Sequence, residues 1–462
     1  MFSTAYLLLR REPDLSNIHP ESESTLPMRV AMALGALWLG VAACTGSNKP
    51  ETLAGGSERT RPTRDAGPAS AERTRPTRDA GPFESDVAFL RQHTQVLMLT
   101  DASGAQVVVS QAYQGRVMTS TTGSADRPSF GWIGRAAIAA GTPQPHMNVF
   151  GGEDRFWLGP EGGQYALYFK RGDPFDLDHW QVPEPLDWGS WEVTSQTPTA
   201  VRFHKRMALT NYSGTQMDID VDRTVRLLAR DDLSTLLGEP AGGAVRAVAF
   251  ESSNTVTNAG SAAWKPESGL VSVWILGQFI PSSRTTIALP FASGPDSTRG
   301  PVVNDAYFGK VPADRLIVKP SAVLFRGDGE YRSKIGLSPA RALAMAGSYD
   351  ALGHTLTLVQ YTRPADSFGY VNSMWEIQRE PYKGDVVNSY NDGPPEAGKP
   401  ALGPFFELET SSPALELLPA QSYTHVHRTF HLVGAEAELD RIARATIKVG
   451  LDELTNAFSP QR

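Results

Sequence analysis

The stretch FFELETSSPALELLPAQSYTHVHRTFH, residues 405–431, concentrates acidic and imidazole side chains in two segments with the spacing of extended chain. Glu407 and Glu409 are two residues apart, and side chains alternate between the faces of a strand, so both carboxylates leave one face. Pro413 and Pro419 in the intervening segment favour a reversal over one continuous strand. The stretch therefore predicts two strands joined by a loop.

The second of these segments carries His425, His427 and His431, which share one parity and would line one face of a strand. Two facing strands of this kind would bring carboxylates and imidazoles to one small molecule. Imidazole pairs on strands also suit zinc or iron, but no further ligand stands at a characteristic spacing. A metal-dependent enzyme, structural histidines and direct ligand contact or proton transfer are the alternatives; no metal and no other cofactor is expected.

After Pro82 the chain consists of many short β-rich runs separated by turn residues. The whole sequence contains 42 glycines and 34 prolines. This pattern is typical of a sandwich or barrel. Helical periodicity is strong only at the end, over residues 435–458. No internal boundary interrupts the run, so residues 83–462 are predicted to form a single all-β domain with a C-terminal helix. The β-rich runs include 95–99, 106–109, 165–169, 245–250, 270–276, 285–289 and 355–361.

The beginning of the chain has the features of an export signal. Residues 28–43 hold a basic residue, about ten apolar residues and small residues before Cys44. Val-Ala-Ala-Cys resembles a bacterial lipobox, which implies cleavage before Cys44 and its lipidation; an ordinary cleaved signal is the alternative. Residues 1–27 are interpreted as a mis-assigned upstream extension. We expect an exported protein, lipid-anchored to the bacterial cell envelope on the periplasmic or surface side of the outer membrane.

Residues 44–82 are interpreted as a lipidated disordered linker, because they are poor in apolar residues and cannot offset the entropy of ordering. They contain ERTRPTRDAGP twice, at 58–68 and 72–82. Cys44 is the only cysteine, so an intramolecular disulfide is excluded. The net charge of −7 argues against a nucleic-acid footprint. A monomer is expected.

A glycine-rich stretch, GGEDRFWLGPEGG at 151–163, is the densest polar and aromatic group outside the first stretch. A guanidinium beside aromatic rings suits a polyhydroxylated ligand, because it donates to hydroxyls while a ring covers C–H surface. Glu153, Arg155 and Trp157 are therefore candidate ligand contacts. The alternative is a hairpin with a buried arginine–carboxylate pair.

Two further segments carry candidate ligand contacts. In SVWILGQF, Trp274 and Gln278 lie on one predicted strand face, with a core strand as the default. Residues 375–392 supply more candidate ligand contacts, for which a structural loop is the alternative. These candidates are Trp375, Glu376, Asn391 and Asp392.

Several of these blocks together resemble the galactose mutarotase-like (aldose 1-epimerase-like) superfamily, and specifically a branch of bacterial lipoproteins. The similar blocks are YQGRVMTST (113–121), GGEDRFWLGPEGG, NTVTNAG (254–260), WILGQF, NSYNDGP and HVHRTFH. The resemblance spans about residues 86–432. It implies a large antiparallel β-supersandwich with a sugar-binding cleft.

The resemblance also implies roles for particular residues. Leu408-Glu409-Thr410 looks like the epimerase segment whose glutamate takes the proton of the anomeric hydroxyl, which makes Glu409 the expected base. The epimerase histidine that protonates the ring oxygen is missing, because the comparable strand reads WILGQF. Either His425, His427 or His146 supplies this proton, or the protein binds sugars without turnover.

The expected ligand is thus a sugar or glycan, and two functions compete. One is anomer interconversion by acid–base ring opening, an isomerase activity. The other is a non-catalytic carbohydrate-binding surface lipoprotein. A metal-dependent enzyme that uses His425, His427 and His431 is a third reading.

Overall fold

A computed structural model of the protein describes residues 81–365, 369–396 and 398–458. The predicted upstream extension, the predicted signal peptide and the predicted linker up to residue 80, with Cys44, lie outside these ranges. Within them, no helix has both the length and the apolar character needed to cross a membrane.

The described residues are dominated by β-strands, named here in chain order. The strands are β1 (Val96–Thr100), β2 (Gln106–Ser110), β3 (Arg116–Thr121), β4 (Arg155–Gly159), β5 (Glu192–Gln196), β6 (Ala200–Thr210), β7 (Gln216–Leu227), β8 (Val245–Asn258), β9 (Ser272–Phe279), β10 (Thr285–Pro290), β11 (Leu316–Val318), β12 (Ala322–Arg326), β13 (Ser333–Leu337), β14 (Met345–Asp350), β15 (Thr355–Tyr361), β16 (Val387–Asn391), β17 (Phe406–Ser411) and β18 (Ser422–Gly434).

Short helices connect or flank these strands. They are α1 (Pro82–His93), α2 (Arg135–Ala140), α3 (Glu184–Asp187), α4 (Arg230–Leu237), α5 (Asp296–Arg299), α6 (Glu436–Thr446) and α7 (Leu451–Asn456), with one 3₁₀ turn, Gln111–Tyr113.

The strands form three sheets, and each pairing between named strands is antiparallel. The largest has ten strands in the order β11-β12-β10-β14-β15-β18-β8-β7-β6-β5, the second has five in the order β13-β16-β17-β9-β4, and β1-β2-β3 form the third. The predicted all-β, antiparallel fold is confirmed.

The five-stranded sheet packs one face against the ten-stranded sheet. One shared apolar cluster contains Phe156 and Ile275 from β4 and β9 with Val221 from β7. A second contains Leu408 from β17 with Val359 from β15. Burial of such side chains contributes about 1.5–3 kcal/mol each, so this interface holds the two sheets together.

The two strands of the first-quoted stretch lie in different sheets. β17 pairs with β9 and β16, whereas β18 pairs with β8 and β15. They meet across the interface between the sheets, where Thr410 Oγ1 lies 3.1 Å from His425 Nε2 and 2.9 Å from His427 Nδ1. The reversal between them is therefore a crossover from one layer to the other.

The chain end departs from the predicted single helix. It forms α6 and α7, separated at residues 447–450, where Lys448 adopts a left-handed conformation with φ 63°. A single helix would require right-handed backbone at Lys448. Leu439 and Ile442 of α6 and Leu454 of α7 nevertheless share one apolar cluster with the ten-stranded sheet, as their spacing predicts.

The predicted strand at residues 165–169 is also wrong, because this segment is a series of turns and bends. The hydrogen bond from Leu167 N to Pro160 O folds it back onto the end of β4. Tyr168 and Phe169 are buried in this conformation, so their apolar character reflects burial and not a strand.

Burial of the inter-sheet histidines predicts a stability change with pH. Burial lowers the pKa of His427 to about 4, whereas an unfolded histidine titrates near 6.5. Between these values the unfolded state binds the extra proton, so stability falls as pH falls, by about 1.4 kcal/mol per pH unit for one proton. In His427→Gln, the free energy of unfolding, measured with urea at pH 7, 6 and 5, should change less steeply with pH, by about that amount per pH unit. The exposed His93→Gln is the matched control, and an unchanged slope in His427→Gln contradicts the prediction.

Candidate functional site

The outward face of the five-stranded sheet carries polar side chains from all its strands. Directly paired residues of antiparallel strands point to the same face. Glu407 pairs with Gln278 on β9 and with Tyr390 on β16. Two residues on, Leu276 pairs with both Glu409 and Arg155. Alternation along the strands thus gathers these side chains above the sheet.

Loops around this face enclose a cavity of about 630 Å³. Its size falls within the range of small-molecule sites, about 300–1,000 Å³. The floor is the sheet, and the walls come from the segments around residues 145–147, 161, 176–180, 308, 375, 392–396 and 399–405. The charged, amide and indole side chains of the floor are Arg155, Trp157, Trp274, Gln278, Lys334, Glu407 and Glu409.

An ion pair between Glu409 and Lys334 lies at the centre of the floor. Lys334 Nζ donates to Glu409 Oε2 over 2.9 Å, and Trp274 Nε1 donates to the same oxygen over 2.9 Å. Glu409 is 1% exposed, and its Oε1 has no hydrogen-bond partner among the described residues. Although burial alone would lower it, the negative charges of Glu409 and Glu161 raise the pKa of Lys334. Lys334 therefore stays charged at neutral pH.

A second ion pair joins Glu407 to Arg155. Arg155 Nη2 donates to Glu407 Oε1 over 3.0 Å, and Gln278 Nε2 donates to the same oxygen over 2.8 Å. Burial, and then repulsion from Glu409, outweigh these contacts and raise the pKa of Glu407 to about 7. The floor thus holds one carboxylate with two hydrogen-bond donors and a free oxygen beside a second carboxyl that titrates near neutrality.

Aromatic rings line the floor and walls. The Arg155 guanidinium lies 3.9 Å from the centroid of the Trp157 ring, and Lys334 Nζ lies 4.8 Å from that of Trp274. On the wall, Trp180 and Trp375 are stacked with centroids 6.2 Å apart. These contacts fix the rings and cations relative to one another.

Most of the predicted ligand contacts meet at this cavity. Arg155, Trp157, Trp274, Gln278, Trp375, Asp392 and Glu409 line it, although they come from distant parts of the chain. The alternative predicted for Arg155, a buried pair with a carboxylate, is also present, since Glu407 is its partner.

Three predicted contacts lie elsewhere. Glu153 is buried below the sheet, where its Oε2 accepts from Ser120 Oγ over 2.9 Å and from His431 Nε2 over 2.8 Å. Asn391 donates to Asp328 and to the Tyr331 carbonyl, so it fixes a loop. Glu376 is exposed and is not among the lining residues. We correct these three assignments, because the strand and loop backbone directs each side chain away from the cavity.

The predicted catalytic histidines, His425 and His427, also lie away from the cavity. Thr410, their hydrogen-bond partner, neighbours Glu409 in β17, and neighbouring residues leave a strand on opposite faces. Burial lowers the pKa of His425 to about 3, which leaves it neutral at physiological pH. The structure therefore does not bring either histidine to Glu409. His146 does line the cavity, from an exposed loop position.

Lys334 is the site residue that sequence reasoning missed. It lies in SKIGL, a short β-run in which one lysine reads as an ordinary solvated side chain. The feature that identifies it is its position in β13. Lys334 pairs with Tyr390 and therefore lies on the same face of the sheet as Glu407. That feature is usable only once the strand pairing is known.

The histidines also do not form a metal centre. Among residues 81–365, 369–396 and 398–458, no group of three or more His, Cys, Asp or Glu side chains is arranged to hold a metal ion. Each of the three strand histidines instead has a threonine hydroxyl at hydrogen-bond distance.

Comparison with known protein families assigns the chain to one of them. A family described as a family of unknown function (DUF6786) matches residues 81–458, nearly the whole described region. The chain belongs to this family. No curated protein sequence matches the chain.

Several solved structures are similar in fold. A candidate aldose 1-epimerase from Escherichia coli K12 matches with a TM-score of 0.45 and 12% identity, over 74% of this chain and 99% of that chain. A galactose mutarotase-like protein from Lactobacillus casei matches with a TM-score of 0.40 and 12% identity, over 73% and 100%. These names are those of the superfamily that the sequence resembles. At this level of similarity they assign no role to any residue of this chain.

The Lys334–Glu409 ion pair predicts a large stability effect. Lys334→Met leaves a buried carboxylate with a single donor, and loss of one member of a buried pair costs about 3–5 kcal/mol. Urea unfolding at pH 7 measures this change. Arg332→Met is the matched control, because Arg332 also lines the cavity and has no ion-pair partner among the described residues. The control should lose about 1 kcal/mol or less; equal losses in both variants contradict the prediction.

Proposed function

We propose that the cavity above the five-stranded sheet binds a sugar or the end of a glycan. The observation that carries this proposal is a floor of hydrogen-bonded polar groups, flanked by indole rings: the charged Arg155, Lys334, Glu407 and Glu409, and the amide of Gln278. Sugars present hydroxyls around their edge and C–H groups on their faces. Fixed donors and acceptors match the former, and aromatic faces cover the latter.

Unpaired polar atoms of the lining side chains support the same ligand class. Glu409 Oε1 and Gln278 Oε1 are buried, belong to lining side chains and have no partner among the described residues. An unpaired buried acceptor costs about 1–3 kcal/mol, and a ligand hydroxyl offsets that cost. Two acceptors on the same face suit adjacent hydroxyls of one ring.

We further propose that the site interconverts sugar anomers, with Glu409 as the base. Its two donors hold Oε2, so Oε1 is the atom that takes the proton from the anomeric hydroxyl. As this proton leaves, the bond between the anomeric carbon and the ring oxygen breaks, a carbonyl forms, and the former ring oxygen takes up a proton to become a hydroxyl. The open chain then rotates and recloses to the other anomer.

A second function is favoured by a different observation. Neither His425 nor His427 reaches the cavity, and Glu409 is already ion-paired. Both features suit a non-catalytic carbohydrate-binding protein, in which the same groups hold a sugar without turnover. In either case we propose that lipid on Cys44 anchors the protein to the cell envelope.

Magnetisation-exchange NMR with a panel of reducing sugars separates the two functions. The wild type should accelerate anomer exchange for at least one sugar, and Glu409→Gln should lose about 10²- to 10⁴-fold in rate, since the amide cannot accept the proton. Glu376→Gln, an exposed carboxylate outside the cavity, is the matched control and should keep the wild-type rate.

Tryptophan fluorescence on the same panel reports binding independently of turnover, because four tryptophans, Trp157, Trp180, Trp274 and Trp375, line the cavity. Quenching by a sugar without accelerated exchange would establish the binding protein and remove the isomerase. No quenching and no exchange with any sugar or glycan would contradict the carbohydrate site itself.

A further inference from the structure

Ring opening needs a proton donor as well as the base. The ring oxygen must gain a proton as its bond to the anomeric carbon breaks. Of the histidines that the structure describes, His146 lines the cavity, but it is exposed and its Nδ1 donates to the Trp180 carbonyl over 2.6 Å. The other candidates are the buried titratable groups of the lining.

Glu407 has the geometry of such a donor. It lies two residues from Glu409 on the same face of β17, so the two Cα atoms are about 7 Å apart. The hydrogen bonds from Arg155 and Gln278 both end on its Oε1. A proton on Oε2 therefore leaves both contacts intact, and the held Oε1 fixes the direction of the carboxyl group. Glu407 is 5% exposed and lines the cavity.

We propose that Glu407 is the proton donor of this site, acting on the sugar ring oxygen while Glu409 takes the anomeric hydroxyl proton. This inference rests on the proposed isomerase function. In ring opening, Glu409 gains one proton, Glu407 loses one, and the bond between the anomeric carbon and ring oxygen breaks with formation of the carbonyl. In reclosure from the other face, Glu409 returns its proton to the carbonyl oxygen and Glu407 recovers one from the hydroxyl. No oxidant or further reactant is needed.

The charges around Glu407 favour this division of roles. Two carboxyls on one face repel each other, which favours a proton on one of them. Glu409 accepts from Lys334 and Trp274, whereas burial, together with repulsion from Glu409, raises the pKa of Glu407 to about 7. A donor is most effective when its pKa is near the working pH. The groups that face Glu407 are Arg155 on β4, Gln278 on β9, Lys334 on β13, Tyr390 on β16 and Glu409 on its own strand.

The test compares anomer exchange in the wild type, Glu407→Gln, Glu407→Asp, His146→Gln and the matched control Glu376→Gln between pH 5 and 9. Exchange by the wild type should fall as pH rises through about 7, because Glu407 then loses the proton it donates. Glu407→Gln should lose about 10²- to 10⁴-fold in rate, keep sugar binding by tryptophan quenching, and show no such fall. Glu407→Asp should recover part of the exchange rate, and its rate should again decrease as pH rises through about 7. Glu376→Gln should match the wild type, and His146→Gln should keep the fall with pH.

A second measurement keeps the proposal open to refutation if Glu407→Gln fails to fold. Carbon-13 NMR of glutamate-carboxyl-labelled wild-type protein, with the Glu407 signal assigned by its loss in Glu407→Asp, gives the protonation state directly. A signal that titrates near pH 7 supports the donor role, and one that stays ionised from pH 5 to 9 overturns it without any substrate.

The outcomes also distinguish this inference from the proposed function. If Glu407→Gln keeps both the rate and the fall with pH while Glu409→Gln is inactive, the donor assignment is wrong and the isomerase stands. If His146→Gln alone abolishes the fall, His146 is the donor. If the wild type exchanges no sugar, the isomerase fails and the donor role fails with it.

Discussion

The strict alternation of side chains along β17 is the constraint on which the rest of the site depends. Its odd positions, Glu407 and Glu409, face the cavity, and its even positions, Leu408 and Thr410, face the ten-stranded sheet. One strand thus supplies both the polar floor and part of the core. A shift of register by one residue would bury both carboxylates in the apolar layer, so packing of Leu408 indirectly fixes the site.

The two ion pairs cross over this strand. Lys334 is aligned across the strands with Glu407 but pairs diagonally with Glu409. Arg155 is aligned across the strands with Glu409 but pairs diagonally with Glu407. Four charged side chains within a buried face contribute little net stability, because the loss of hydration offsets their attraction. Their arrangement fits a binding surface better than it fits a structural element. The energetics of the fold come instead from the apolar layer on the other side of the sheet.

The same alternation explains why β9 and β17 are buried along their whole length, whereas β7 alternates between buried and less buried positions. β7 has water on one face. β9 and β17 have the core on one face and the walled cavity on the other. Their polar residues are therefore in a low-dielectric setting, which shifts the pKa of Glu407 and leaves the acceptors of Glu409 and Gln278 for a ligand.

Much of this arrangement is encoded in local sequence. Residue spacing determined that Glu407 and Glu409 share a face of their strand, that Trp274 and Gln278 share a face of theirs, and that the protein is all-β with a helical end. Those features depend only on backbone geometry within a few residues. Local pattern could not decide which strands pair, so it placed the histidines with the glutamates and passed over Lys334. Only the tertiary structure decided that β17 and β18 lie in different sheets, because that choice is made by contacts between distant segments. It set His425 and His427 in the core and gave Glu409 a lysine as its partner.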